Sequence, residues 1–231
     1  MEKDVGDKRF PIWPLGDSNP RNWERRLNTP LDPRHLARHN IWTPVLDGIQ
    51  DRLFRESRAR LDTRQMYIRN AIQNAHEKPE NWNVSWNENL EQELTDFRKD
   101  LEEYNPRLLI TFGAFSYEFA RRSRNEDPVH PHGFWGAERI GLEFRKAIGS
   151  MHLDRINVVP LLHATISRGH FLKSHELFCG YEGANYFEDV ALSLSEVLLV
   201  NQNMPELSGV WIVDPVAPRI VGPTNAENIR S

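Results

Sequence analysis

Gly16-Asp17-Ser18-Asn19-Pro20 sets a carboxylate, a hydroxyl and a carboxamide side by side, directly after the apolar stretch from Phe10 to Leu15. The pattern predicts a short buried strand that breaks at Gly16, which tolerates a positive φ, and that Pro20 keeps from continuing. Three later apolar stretches end in a similar way. Met66-Tyr67-Ile68 runs into Asn70, Leu108 to Phe112 into Gly113, and Ile156 to Leu162 into His163. A carboxylate, an amide that offers a donor and an acceptor side by side, and an imidazole are groups that bind a polar ligand and hold or move a proton. Each also has a plain structural reading. Asp-Ser-Asn-Pro is ordinary turn chemistry, Asn70 can close a turn, and a histidine after an apolar strand is often a satisfied structural group.

The elements that must position these residues are legible from periodicity. A helix is expected from Thr43 and Pro44, with an apolar face of Val45, Leu46, Ile49, Leu53 and Phe54, closing in a solvated basic run from Arg55 to Arg60. Leu90, Leu94, Phe97, Leu101 and Tyr104 recur at helical steps until Asn105-Pro106. Helices are also expected directly after Gly113, over Glu138 to Ile148, and over the stretch with Tyr186, Val190, Leu194 and Leu198. Residues 124 to 137, rich in His, Pro and Gly, are expected to form a solvated loop, and Gly209 to Val213 an added edge strand.

Strands alternating with helices predict an α/β fold, a three-layer α/β/α sandwich around a central, mainly parallel four-stranded sheet. In such a sheet Asp17 or Asn19, Asn70, Gly113 and His163 all arrive at the carboxyl edge, where ligands bind in open α/β folds. One domain is expected over residues 1–231, with residues 1–9 and about 205–231 as peripheral tails.

Composition narrows the function classes. The 231 residues are 39% hydrophobic with seven Trp and eleven Phe, which suits a globular chain with a real core. The single cysteine, Cys179, rules out an internal disulfide and any cysteine-held zinc or iron–sulfur cluster. No apolar run reaches membrane-spanning length and the first residues are too charged for a secretory signal, so the expected setting is cytoplasmic. The net charge of −4 decides nothing about nucleic acid, because local patches do, and Arg21, Arg25, Arg34 and Arg38 make one beside the first motif.

Taken in order, the four strand ends resemble the uracil-DNA glycosylase superfamily. That family places a Gly-x-Asp/Asn-Pro turn after its first strand, an asparagine after the second, a small-residue glycine turn after the third and a His-Pro-Ser-like loop after the fourth. Gly16-Asp17-Ser18-Asn19-Pro20, Tyr67-Ile68-Arg69-Asn70-Ala71, Ile110-Thr111-Phe112-Gly113 and His163-Ala164-Thr165-Ile166-Ser167 are similar to these motifs in order and spacing. Arg38-His39-Asn40-Ile41-Trp42 also looks like the Asn-x-Phe-Trp segment of the mismatch-specific branch. The departures are an extra residue in the first turn, and His-Ala-Thr where the family has proline after histidine. The single cysteine excludes the iron–sulfur branches.

The resemblance implies a base-excision enzyme of DNA repair, without a cofactor or metal cluster, that hydrolyses the N-glycosidic bond of uracil or a related deaminated base after flipping it from the stack. It implies that Asn70 reads the base, that an N–H of His163 faces the charge developing on the base, and that Asn19 or Asp17 positions the attacking water. The Asn-Pro pair favours Asn19, with Asp17 as the rival. Gly16, Pro20, Ser167 and Arg168 would take part in substrate binding, with Ile166 and Arg168 lying where a wedge and phosphate contacts are needed. Two other readings stay open in the sequence: a catalytically idle base- or nucleic-acid-binding protein of the same fold, and an unrelated α/β hydrolase using His163 with a carboxylate.

Overall fold

The computed structural model describes residues 4–18, 43–73, 88–163 and 172–213. In chain order these form β1 (Ile12–Ser18), α1 (Thr43–Ser57), β2 (Ala59–Leu61), β3 (Arg69–Ile72), α2 (Glu88–Tyr104), β4 (Leu108–Phe112) and α3 (Ala114–Ser123). Then follow α4 (Ala137–Gly149), β5 (Asn157–Leu161), α5 (Leu172–Cys179), α6 (Tyr186–Val200) and β6 (Trp211–Val213). The four strands β3-β1-β4-β5 make one sheet in that order, every pair parallel. Helices cover both faces, giving the expected α/β/α sandwich.

The pleat explains how one strand serves two cores, since successive side chains point to opposite faces. Ile12 joins Val45, Ile49 and Leu53 of α1 and Val190 and Leu194 of α6 on one face. Trp13 and Leu15 turn to the other, against Leu90, Leu94, Phe97 and Leu101 of α2 and Phe119 of α3. Each of these side chains is almost completely buried, contributing roughly 1.5–3 kcal/mol by removal from water. Pro160 lies in β5, the last strand of the order, opposite Thr111. A proline is tolerated there because its missing N–H faces the unpaired side of an edge strand. At the other edge, Val5 and Ile68 form an antiparallel bridge just before β3, exchanging backbone hydrogen bonds of 2.8 and 2.7 Å.

Three local expectations are corrected, and one helix was missed. The basic run after α1 is not wholly solvated: Ala59 and Leu61 are buried, and β2 pairs antiparallel with β6 in a separate two-stranded ribbon. β6 is therefore not an added edge of the central sheet. Residues 205–213 do not trail away either, since a 3-10 turn over Pro205–Val210 sends Leu207 and Val210 into the core. Helix α5 was not expected at all, because only His175 and Phe178 of its eight residues are buried and no apolar stripe marks it.

Residues 124–137 form the expected loop, exposed over most of its length, but they are anchored to the fold. Glu118 of α3 is fully buried and accepts hydrogen bonds from Arg121 Nη1 (3.1 Å), Arg122 Nε (2.9 Å), the His130 backbone N–H (2.7 Å) and Trp135 Nε1 (2.7 Å). One carboxylate thus fastens the loop to the helix, and Trp135 packs edge-on to Tyr117 at 4.8 Å. The charge is tolerated inside because two guanidiniums and two N–H groups satisfy it.

Candidate functional site

β1 does not break at Gly16. It continues through Ser18, with Gly16 opposite Asn70 and Ser18 opposite Ile72 in β3. Gly16 is not among the glycines with positive φ, so conformational freedom is not why it is glycine. Space is: a Cβ at position 16 would stand 2.2 Å from Asn70 Oδ1. Asn70 likewise lies within its strand rather than after it, and its carboxamide lies over the Gly16 backbone. Arg69, also buried, holds this corner from the opposite face. Its Nε donates to the Asn70 carbonyl at 3.1 Å, its Nη2 pairs with Glu93 at 3.1 Å, and its guanidinium lies 4.8 Å from the Phe97 ring centroid.

A second glycine–side-chain pair sits across the central strands. Gly113 ends β4 with φ 96 and ψ 170, a region essentially reserved for glycine. A Cβ there would be 2.8 Å from the Cβ of His163 and 3.4 Å from two of its ring carbons. The Gly113 N–H donates to the Leu161 carbonyl at 2.8 Å. The turn is thereby drawn toward the end of β5, and His163, half-exposed, closes over it. Tyr186 supports the same strand end: its buried hydroxyl accepts the Leu162 N–H at 3.1 Å. Sequence reading missed the supporting roles of Arg69 and Tyr186, whose signal is only that of buried amphipathic side chains.

The two pairs flank the place where the connections diverge. β1 leads through α1 to β3 on one side, whereas β4 leads through α3 and α4 to β5 on the other. The crevice at the carboxyl ends of such strands is where ligands bind in doubly wound sheets. α3 begins here directly after Gly113, so its first-turn N–H groups and the positive end of its dipole face the same edge. Asp17 follows Gly16 with its Oδ1 shut off from solvent. Asp17, Asn70, Gly113 and His163 are thus brought to one edge as expected. Asn19, Pro20, Ser167 and Arg168, with the arginine-rich stretch from Arg21 to Arg38, lie outside the described residues.

No family model matches the chain, and no curated protein matches it significantly. The arrangement itself is therefore the basis for reading function. It brings an amide, a carboxylate and an imidazole to one sheet edge, groups that can recognise a polar planar group and handle a proton. Among the described residues no cluster of three or more His, Cys, Asp or Glu side chains is placed to hold a metal ion. None of their helices is long and apolar enough to cross a membrane. Cys179 is not a ready nucleophile: burial, with the Asp189 carboxylate beside it, pushes its thiol up to about 12. A cavity of about 700 Å³, lined by His130, Phe134, Trp135 and Arg139 among others, lies on the α3–α4 flank and includes none of the crevice residues.

Proposed function

We propose that the chain is a DNA glycosylase that releases uracil or a related deaminated base by hydrolysing its N-glycosidic bond. The observation that supports this best is the paired packing at the carboxyl edge, Asn70 over Gly16 and His163 over Gly113, on either side of the point where the connections diverge. The order of the motifs and their resemblance to the uracil-DNA glycosylase superfamily give the reaction class.

In this reading the target nucleotide leaves the stack and its base enters the crevice. The Asn70 carboxamide accepts from N3–H and donates to O4 of uracil. As the bond between the sugar C1′ and the base nitrogen lengthens, its electron pair moves into the base and negative charge gathers on O2. An N–H of His163 meets that charge, an interaction made only in the transition state and worth roughly 3 kcal/mol by analogy with oxyanion-hole donors. Water attacks C1′ on the opposite side, positioned by Asp17 or by Asn19, and the proton it loses ends on the departing base anion, leaving free base and an abasic sugar.

The test is incubation of the purified chain with single- and double-stranded oligonucleotides carrying uracil, followed by alkaline cleavage at abasic sites. Strand cleavage at the uracil position is expected, and the His163→Ala variant is expected to slow the single-turnover step by about a hundredfold while binding DNA normally. Binding without cleavage by the wild-type chain would instead select the catalytically idle reading, and equal loss of binding and turnover in His163→Ala would make that histidine structural.

A further inference from the structure

Five arginines fall between residues 52 and 64, at the last turns of α1 and along β2. Arg55 is paired with Asp51 at 2.8 Å and Arg64 with Asp62 at 2.9 Å. Arg58 and Arg60 are different. Both are exposed and neither forms an ion pair with any described carboxylate. Their guanidiniums lie instead over one half-buried ring, Phe54, at 5.2 and 4.7 Å from its centroid.

The backbone is arranged to produce this. Arg58 follows the end of α1 with φ 58, and its N–H caps the helix through the Phe54 carbonyl at 3.0 Å. Glycine or asparagine is the usual residue in that left-handed position, so an arginine there is held against its conformational preference. Arg60 is the middle residue of β2, the one that points to solvent while Ala59 and Leu61 point inward. A helix carboxyl terminus favours cations, which accounts for one arginine near it. It does not account for two unneutralised guanidiniums directed onto a single ring.

We propose that Arg58, Phe54 and Arg60 form a second nucleic-acid contact, a site for the phosphodiester backbone of a strand. Cation–π contact with the ring holds each guanidinium in place, and its N–H groups can still bind phosphate oxygens two at a time. The ring edge and the neighbouring Ile212, the cross-strand partner of Arg60 and 47% exposed, offer apolar surface to sugars and bases. The patch lies where residues 59–68 lead into the start of β3, the amino edge of the sheet. It is therefore separate from the carboxyl-edge crevice, and it holds nucleic acid whether or not a base is excised there.

The experiment is fluorescence anisotropy of a labelled oligothymidylate of twelve nucleotides, free of damage, titrated with the full chain between 50 and 200 mM KCl. Arg58→Ala/Arg60→Ala is expected to weaken binding about tenfold and to reduce the log–log salt slope by about 1.4, two phosphates' worth for a single strand. Arg64→Ala, which removes a neighbouring charge already paired with Asp62, is expected to stay within about twofold of wild type. Arg58→Gly relieves the left-handed arginine, so it is expected to keep or raise the melting temperature and still weaken binding, which separates the contact from folding. Unchanged binding in the double variant overturns the proposal, as does an equal loss in Arg64→Ala, which would signify diffuse charge alone. Selective capture by phosphatidylserine vesicles, with no oligothymidylate binding, overturns it in favour of a membrane. Excision of uracil is scored separately, so failure of that activity and failure of this contact are distinguishable.

Discussion

Two glycines define the crevice by what they leave out. In Gly16→Ala the new methyl group would occupy the space of Asn70 Oδ1 at 2.2 Å, so the carboxamide must swing out of place at a cost of about 1–3 kcal/mol. The expected outcome is a strong loss of uracil excision with the fold retained. Because the penalty comes from one contact, Gly16→Ala combined with Asn70→Ala should be less destabilised than the sum of the two, measured by urea denaturation. Additive losses would mean the contact is not the cause. A companion test concerns base choice. If Asn70 reads the uracil edge, Asn70→Asp should raise cytosine excision relative to uracil, because a carboxyl group can accept from N4 and, when protonated, donate to N3. An unchanged ratio at matched folded protein removes the reading role. The sequence showed which residues reach this edge but not why Gly16 is glycine. A run of Leu-Gly-Asp reads as a turn, and only the neighbouring strand reveals that the missing Cβ makes room for an amide.

At the level of elements, the parallel strands were legible because they are buried on both faces and read as continuous apolar runs, Leu108 to Phe112 most clearly. The helices with a wide apolar stripe were equally clear, such as α2 with its buried Leu90, Leu94, Phe97 and Leu101. What stayed hidden depends on partners far along the chain. β2 and β6 are three residues each and exist only as each other's neighbours, so neither has a period to read. The anchoring of the 124–137 loop stayed hidden because Glu118 belongs to the preceding helix and resembles any exposed helical glutamate in sequence. Replacing it gives a sharp expectation. Glu118→Leu leaves Arg121 and Arg122 and the Trp135 and His130 donors without their shared acceptor, and should destabilise the protein by about 3–5 kcal/mol. Thermal denaturation measures this, and a loss under 1 kcal/mol would show that the loop is held by its ring contacts alone.

For the molecule as a whole, buried phenols shape the response to alkali. Burial raises the ionisation of Tyr67, Tyr117 and Tyr186 well above the ordinary phenol value of 10.0, assisted by Asp4 at the first and Glu143 at the second. The raised group is the folded one, so the unfolded chain loses its protons first. The tyrosines' contribution is therefore complete below pH 10 and falls as pH climbs above it, by up to about 1.4 kcal/mol per pH unit for each tyrosine, and the raised Cys179 thiol adds a fall of the same sign that starts above its ordinary value of 9.0. Urea denaturation at pH 9, 10 and 11 should show that fall, and Tyr117→Phe should flatten it. A slope independent of tyrosine number would place the alkaline transition elsewhere. The strand order has a consequence of another kind, for how the protein is made. β1 is synthesised first yet lies in the middle of the sheet, with Leu15 paired to Arg69 on one side and Thr111 on the other. A nascent chain emerging from the ribosome thus carries β1 with both edges open until Arg69 to Ile72 have followed, and with one edge still open until Leu108 to Thr111 have followed. At ordinary elongation rates the wait for that second edge is roughly 5–20 s, during which a strand destined for the middle of the sheet depends on chaperones rather than on a full set of neighbours to escape aggregation.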